Sequence, residues 1–329
     1  MHQRIHQGQQ VARSHKIMTI RRYDNSFRER WDTFIDLSKN GTFMLRRGFM
    51  EYHSDRFQDH SLLIFEKDTL IAVVPASFHD GRLISHGGLT YGGIVVGRHM
   101  TTETMLRVVS LLRDYLSQQD IDELLIKRVP TIYYTYPSDE DTYAFFLGDI
   151  PLVRRELSSA IYLPDAIRLS ERRRRAIRKA YDAGVRVSES TDYDTYITLL
   201  TEVLQSRHNV TPPHTPQELR LLSTRFPHNI KLWAAFRGER MIAGTLLFID
   251  RGVIHTQYLA NSEEGRRCGA LDLIIHKLIT ETYRDARYLD FGISTEKQGR
   301  LLNTGLTTQK EEFGARAVTY DSYLLKTTH

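Results

Sequence analysis

DFGISTEKQGRLLNTGLTTQKEEFG, residues 290–314, is the stretch that decides how the chain is read. Residues 288–291 have the composition of a short strand, and Gly292 ends it. Ser294, Thr295, Glu296, Gln298, Arg300 and Asn303 then follow within one loop's length. Loops leaving the end of a buried strand are common places for binding or catalysis. A helix is expected over 301–313, with Leu302, Leu306 and Phe313 on its apolar side and Gly314 as its stop. The plainer alternative is an ordinary strand, polar turn and helix.

Working outward, 329 residues suggest about two domains of roughly 150 residues each. A chain that is 41% hydrophobic and 26% charged has ample core. No apolar run reaches the length of a membrane span, and residues 1–17 lack the apolar segment of a secretion signal. The single cysteine, Cys268, excludes an internal disulfide and fits a reducing, cytoplasmic compartment.

The net charge of +5 is concentrated in two places. Arg4, Arg13 and Lys16 make the leader basic, and residues 171–179 hold six cations against one acid, which leaves the remainder slightly acidic. The leader has no apolar period and is expected to be disordered, with Met18 an alternative start. Its His2, His6 and His15 match no closed metal site, so no metal is expected. In 171–179, Ala176 and Ile177 share a helical face with Leu169 and Ala180. Arg172, Arg174, Arg175, Arg178 and Lys179 therefore point elsewhere, as a solvated face or a grip on a phosphate-bearing partner. Pro212, Pro213 and Pro216 stiffen the loop after the helix expected over 192–208, which is either a lid or a connector.

The chain also repeats itself. A hairpin over 61–65 and 70–76 is matched by another over 230–236 and 241–249, with Phe65 on Phe236, Leu70 on Met241, Ile71 on Ile242 and Ala72 on Ala243, all 171 residues apart. Each hairpin leads to a glycine-containing segment, an amphipathic helix, a short strand, a helix ending in glycine (Gly148, Gly314) and a last strand. Tandem duplication of one α/β unit follows, with the boundary near 150–163.

The order strand, two helices, hairpin, strand, glycine turn, helix, strand, helix, strand resembles the GNAT acyltransferase fold. Its doubling, with SERRRRAIRKAYDAGV at 170–185 and QKEEFGAR at 309–316, is similar to the Fem-type branch, the peptidoglycan aminoacyltransferases and their acetyltransferase-like relatives. That branch closes its last catalytic-unit helix with Lys-Xaa-Xaa-Phe-Gly, here Lys310 to Gly314. The resemblance implies an α/β (α+β) fold of two tandem GNAT-like units, each a mixed, mostly antiparallel sheet flanked by helices: 18–155 degenerate and shaping an acceptor cleft, 156–329 catalytic.

The donor stays open between acyl-CoA and aminoacyl-tRNA. GNAT enzymes using acyl-CoA hold its pyrophosphate on an Arg/Gln-Xaa-Xaa-Gly-Xaa-Gly/Ala turn at a helix N-terminus. Here Arg266 and Gly269 match, but Leu271 holds the last place, and Glu263 and Glu264 add negative charge nearby. Arg174 and Arg178 would suit tRNA. Neither a Ser-His-Asp nor a Cys-His order stands out, so direct attack of an amine on the acyl carbonyl is expected.

Glu296 and Asp290 are the candidate proton acceptors or amine anchors, and Tyr258 the candidate proton donor. Ser294, Arg300, Asn303, Gln309 and Lys310 are the candidate acceptor-binding residues. Each has a structural rival: Asp290 as a helix cap, Tyr258 as core, Lys310 paired with Glu311 or Asp290. His255 reads as a hydrogen-bonded sheet histidine rather than a base. The expected function is transfer of an acyl, acetyl or aminoacyl group to a small or cell-wall-related amine. The alternative is an inactive scaffold that binds RNA or an anionic polymer through 171–179.

Overall fold

The computed structural model describes residues 17–327, so the basic leader up to Lys16, with its three histidines, lies outside the described residues. The first half runs β1 (Met18–Arg22), α1 (Arg28–Leu37), α2 (Arg47–Met50), β2 (Gln58–Asp59), β3 (Leu62–Glu66), β4 (Thr69–Val74), β5 (Ser77–His79), β6 (Arg82–Ile84) and β7 (Val95–Val96). It closes with α3 (Thr102–Gln118), β8 (Glu123–Lys127), α4 (Glu140–Leu147) and β9 (Leu152–Tyr162). The second half runs α5 (Glu171–Asp182), β10 (Arg186–Ser190), α6 (Tyr193–His208), α7 (Pro216–Arg225), β11 (Ile230–Arg237), β12 (Arg240–Asp250) and β13 (Val253–Asn261). There follow α8 (Glu263–Cys268), α9 (Ala270–Lys277), β14 (Tyr288–Ile293), β15 (Thr295–Glu296), β16 (Leu301–Leu302), α10 (Thr304–Glu311) and β17 (Arg316–Lys326).

The 171-residue period extends into the details of pairing. β1-β3-β4 and β10-β11-β12 are the same antiparallel meander, and each hairpin carries a bulge at the same place, Ile64/Phe65 and Ala235/Phe236. The next turn repeats too: Asp80-Gly81 and Arg251-Gly252 both take positive φ, 48° and 78° against 50° and 75°. Left-handed pairs of this kind let a two-residue turn follow the strand twist. Each half then makes one short parallel pairing, Leu83 and Ile84 with Leu124 and Leu125, Ile254 and His255 with Leu289 and Asp290.

Two differences break the symmetry. Pro75 stands where Leu246 stands, and with no N–H to give a ladder it separates β4 from β5 where β12 runs unbroken. The first hairpin therefore belongs to a separate four-stranded sheet, β1-β3-β4-β7, and the second to an eleven-stranded one, β10-β11-β12-β13-β14-β9-β17-β8-β6-β5-β2. A glycine-rich loop over 85–94 also replaces the four residues 256–259.

The last strands are exchanged. β9, from the first half, pairs with β14 of the second, and β17 pairs with β8 of the first, with β9 and β17 antiparallel between them. A division at 155/156 thus falls inside β9. Across this join Phe43 and Phe49 of the first half pack on Phe226 and Phe248 of the second at ring separations of 5.5–6.0 Å, in a core shared by both halves. Two further cores lie one in each half, each completed by the exchanged strand, Leu325 of β17 in the first and Ile161 of β9 in the second. No helix among the described residues is long and apolar enough to cross a membrane.

In the opening stretch the expected helix over 301–313 is shorter. Leu301 and Leu302 pair with Glu296 and Thr295 as a two-stranded ribbon, and Asn303 caps α10 by accepting from the Leu306 N–H at 3.0 Å. A side chain that satisfies a free N–H of the first turn fixes the start of a helix. Gly314, at φ 89°, ends it as expected.

Candidate active site

β13 and β14 are paired only over Val253–His255 and Tyr288–Asp290, then fork. β13 stays with β12, while β14 turns at Gly292, φ 74°, toward Ser158 of β9. At the fork the Asp290 carboxylate is fully buried. Its Oδ2 accepts from His255 Nδ1 at 2.8 Å and from the Tyr320 hydroxyl at 2.5 Å. Its Oδ1 accepts from Ser158 Oγ at 2.5 Å and from the Gly292 N–H at 3.2 Å. Burial alone would raise its pKa; the hydrogen bond and charge of His255, with Ser158 and Tyr320, outweigh this and hold it low. His255 keeps 13% of its side chain exposed, and its Nε2 makes no hydrogen bond among the described residues. The equivalent register positions in the first half are Ile84 and Leu125, which carry no chemistry.

Tyr258 joins His255 through a bulge. Leu246 faces Tyr258 and Leu247 faces Thr256, so Gln257 is the extra residue, and Tyr258 falls on the face of β13 that Val253 and His255 share. Its hydroxyl lies 2.6 Å from His214 Nδ1, and His214 Nε2 lies 2.9 Å from the Tyr52 hydroxyl. Burial pushes His214 down to about 4 and Tyr52 up to about 12, and raises Tyr258 as well. The loop with three prolines thus delivers His214 and is pinned by Thr215, which shares a capping box with Glu218 at the start of α7. His53 packs against Tyr52 with ring centres 4.1 Å apart and planes tilted by 36°, and neither its ring nitrogens nor His86 Nδ1 have a partner among the described residues. No group of three His, Cys, Asp or Glu there is arranged to hold a metal ion.

The polar residues of 290–314 separate into three places. Lys310 is buried and spends all three ammonium hydrogens on Gly292 O, Ile293 O and Ser294 Oγ, at 2.7, 2.9 and 2.7 Å. Burial, opposed by the charge of Asp290, lowers it to about 8. Lys310 and buried Ser294 thereby lock the turn after β14. Glu296 and Arg300 are exposed, and Glu296 Oε1 accepts from Asn303 Nδ2 at 3.0 Å on the ribbon. Gln309 lines a cavity of about 340 Å³ with Arg172, Arg173, Asn261, Arg266 and Phe313.

That cavity lies beside the N-terminus of α9, where a pyrophosphate would be sought. Arg266 falls in the last turn of α8, which Gly269 ends at φ 81°, and α5 crosses this glycine closely: a Cβ there would collide with the Ala176 carbonyl oxygen. Asp272 occupies the first turn of α9 and accepts from Arg173 at 2.8 Å. Arg173 also pairs with Glu312 at 2.7 Å and stacks over Phe313 at 4.6 Å. The first turn of α9 therefore carries a carboxylate of the chain itself, paired to an arginine of α5, which crosses the terminus at Gly269. Arg172, Arg175, Arg178 and Lys179 face outward, and Arg174 is paired with Glu171.

Residues 168–298 match the acetyltransferase (GNAT) domain family. No curated protein matches the chain in sequence. Among solved structures it is similar to FemX, with TM-score 0.65 and 10% identity over 92% of this chain and 96% of that one. It is similar to L-PGS from Bacillus licheniformis at TM-score 0.60 and 12% identity, over 91% of both chains. A tandem GNAT protein from the clavulanic acid biosynthesis pathway matches at 0.50 and 9%, over 95% and 99%. At these identities the likeness to each solved structure is one of fold. The second half thus carries a match to the GNAT domain family, and the chain as a whole has a two-unit fold like that of FemX.

Proposed function

We propose that the chain is an N-acyltransferase in which His255 takes the proton of an attacking amine, Asp290 orients His255, and Tyr258 protonates the leaving group. The observation that carries this is the imidazole–carboxylate pair at the fork of two parallel strands, against Ile84 and Leu125 at the same register of the first half. The amine nitrogen attacks the donor carbonyl carbon, and the carbonyl π electrons move to oxygen. His255 Nε2 accepts the amine proton, while Nδ1–H stays on Asp290, which fixes the tautomer. Collapse breaks the bond to the leaving oxygen or sulfur, which takes the Tyr258 proton. Asp290, whose oxygens already accept four hydrogen bonds, orients rather than receives a proton.

A neutral His214 fits the same sequence. If the Tyr52 hydroxyl donates to Nε2, Nδ1–H donates to the Tyr258 oxygen and leaves the Tyr258 hydrogen free for the cleft. Cys268 is buried, with Sγ donating weakly to Gly265 O, which supports direct attack over a covalent intermediate.

The terminus of α9, crossed by α5 and with Asp272 in its first turn, favours a donor that is not anchored there by a pyrophosphate. Aminoacyl-tRNA held by the outward arginines of α5 fits better than acyl-CoA, and a small or cell-wall-related amine is the proposed acceptor. Melting temperature with coenzyme A, an acyl-CoA or charged tRNA tests the donor. Charged tRNA should raise it, by less as salt increases; stabilisation by coenzyme A alone would reverse the assignment.

A further inference from the structure

Sheet register extends the polar face from Asp290 through Ser158 to Glu156 and Arg154 on β9, across Tyr320 and Ser322 on β17, to Lys127 on β8. Beside Tyr320 the far end of this face, Glu156, Arg154, Ser322 and Lys127, lines a cavity of about 290 Å³, bordered by Thr90 of the glycine-rich loop and Ile293 of the turn after β14. Most of its charges are matched locally. Arg128 is held by Asp139 and Asp141, Asp321 by Arg155, and Glu156 by Arg154 Nη2 at 2.6 Å.

Two cations are left incompletely matched. Lys127 Nζ donates to the carbonyls of His86 and Leu89 and has no carboxylate within 4 Å among the described residues. Arg154 Nε is buried and has no hydrogen-bond partner among the described residues. Buried polar groups are normally paired, so an unpaired Arg154 Nε beside a buried ammonium that is held by carbonyls alone needs an explanation. Burial, aided by the charge of Arg154 and opposed by Glu156, lowers Lys127 to about 8, as expected of a cation short of a counter-charge. Lys127 and Arg154 flank Ser322 on the strands either side of it, so their Cα atoms stand about 10 Å apart, a span two long side chains can close on one anion.

We propose that this cavity binds an anionic group, carboxylate or phosphate, of the amine acceptor, so that the acceptor is an amino acid-like or phosphorylated amine rather than a neutral one. The proposal rests on the transferase reading for its amine and places the anion next to Tyr320, which touches the catalytic carboxylate. It also gives the first half a part in recognition, since Lys127 occupies the register position that Gly292 holds in the second.

The test is equilibrium binding of inorganic phosphate and of acetate to the whole protein, at ionic strength held constant with chloride. The variants are Arg154→Gln, Lys127→Met and, on α5, Arg178→Gln. We expect saturable binding of at least one anion in the wild type and in Arg178→Gln, weakened tenfold or more in Arg154→Gln and Lys127→Met; whichever anion binds tighter identifies the acceptor group. Arg154 is partly exposed, so its variant carries the test if Lys127→Met does not fold. Absence of saturable binding, or binding lost in Arg178→Gln and kept in Arg154→Gln, overturns the proposal. Binding needs no turnover, so an intact anion site in a protein without transfer would instead count against the acyltransferase assignment.

Discussion

His255 shows how a residue's role depends on a neighbour that chain order does not reveal. Its sequence surroundings, Val253 to Ala260, are an ordinary strand, and Asp290 lies 35 residues on; only the parallel register puts them side by side. Asp290 and Tyr258 were legible as candidates because they are polar groups in apolar strands. Glu296 was legible for a different reason, its loop, and lies exposed on a ribbon with Asn303. Two substitutions separate them. His255→Gln should lower kcat by roughly 10²–10⁴-fold with folding intact, the usual range for a lost general base. Glu296→Gln should leave it within about twofold, and a loss near 10²-fold in steady-state transfer would return the base role to Glu296. Lys310→Met should act differently again. It strips three hydrogen bonds from a buried turn, so a stability loss of about 2–4 kcal/mol should accompany any kinetic defect. An unchanged melting temperature with a raised KM would mean that Lys310 reaches the acceptor instead.

At the scale of elements, α5 is legible in the sequence as an amphipathic basic helix, since its apolar residues fall on one face at helical spacing. Chain order could not show that Arg173 turns inward with that face to meet Asp272, 99 residues away in the first turn of α9, and Glu312. The arginines of one short run therefore divide into an inner clamp and an outer face. Arg173→Met should cost about 3–5 kcal/mol, because it leaves the nearly buried Asp272 without its partner. Arg178→Glu should leave stability within about 0.5 kcal/mol and should weaken tRNA binding, with a shallower salt dependence. Urea unfolding alongside a salt titration of tRNA binding checks both. Equal stability loss in the two variants would remove the distinction between a buried clamp and an outer grip.

For the whole molecule, the repeat was legible because hairpin residues recur 171 positions apart and the same order of elements follows each hairpin, but the exchange of β9 and β17 was not. Strand order within a sheet depends on long-range pairing that a local pattern does not encode. The exchange makes each half part of the other's sheet, and the aromatic core between them makes a single cooperative unfolding transition the expectation. Acid should trigger it early. Burial keeps His53, His60 and His214 near 4 and His86 near 3, and three of these four sit where the halves meet. Above pH ~6.5 each is neutral in both folded and unfolded chains, so none affects stability. Below it the unfolded chain binds protons that the folded one refuses, and stability falls until the folded values are reached. At about 1.4 kcal/mol per unit of difference, the four together would remove on the order of 10 kcal/mol before relaxation, comparable with a domain's whole stability. Asp290 moves the other way in pH: its contribution is complete above ~4 and is lost only as the pH falls through its lowered value. Thermal unfolding at fixed ionic strength should thus give one transition, flat in pH above about 7 and falling steeply between about 6 and 4.5. A melting temperature unchanged down to pH 4.5 would mean that the buried histidines take up protons in the folded protein, and that the join between the halves admits water.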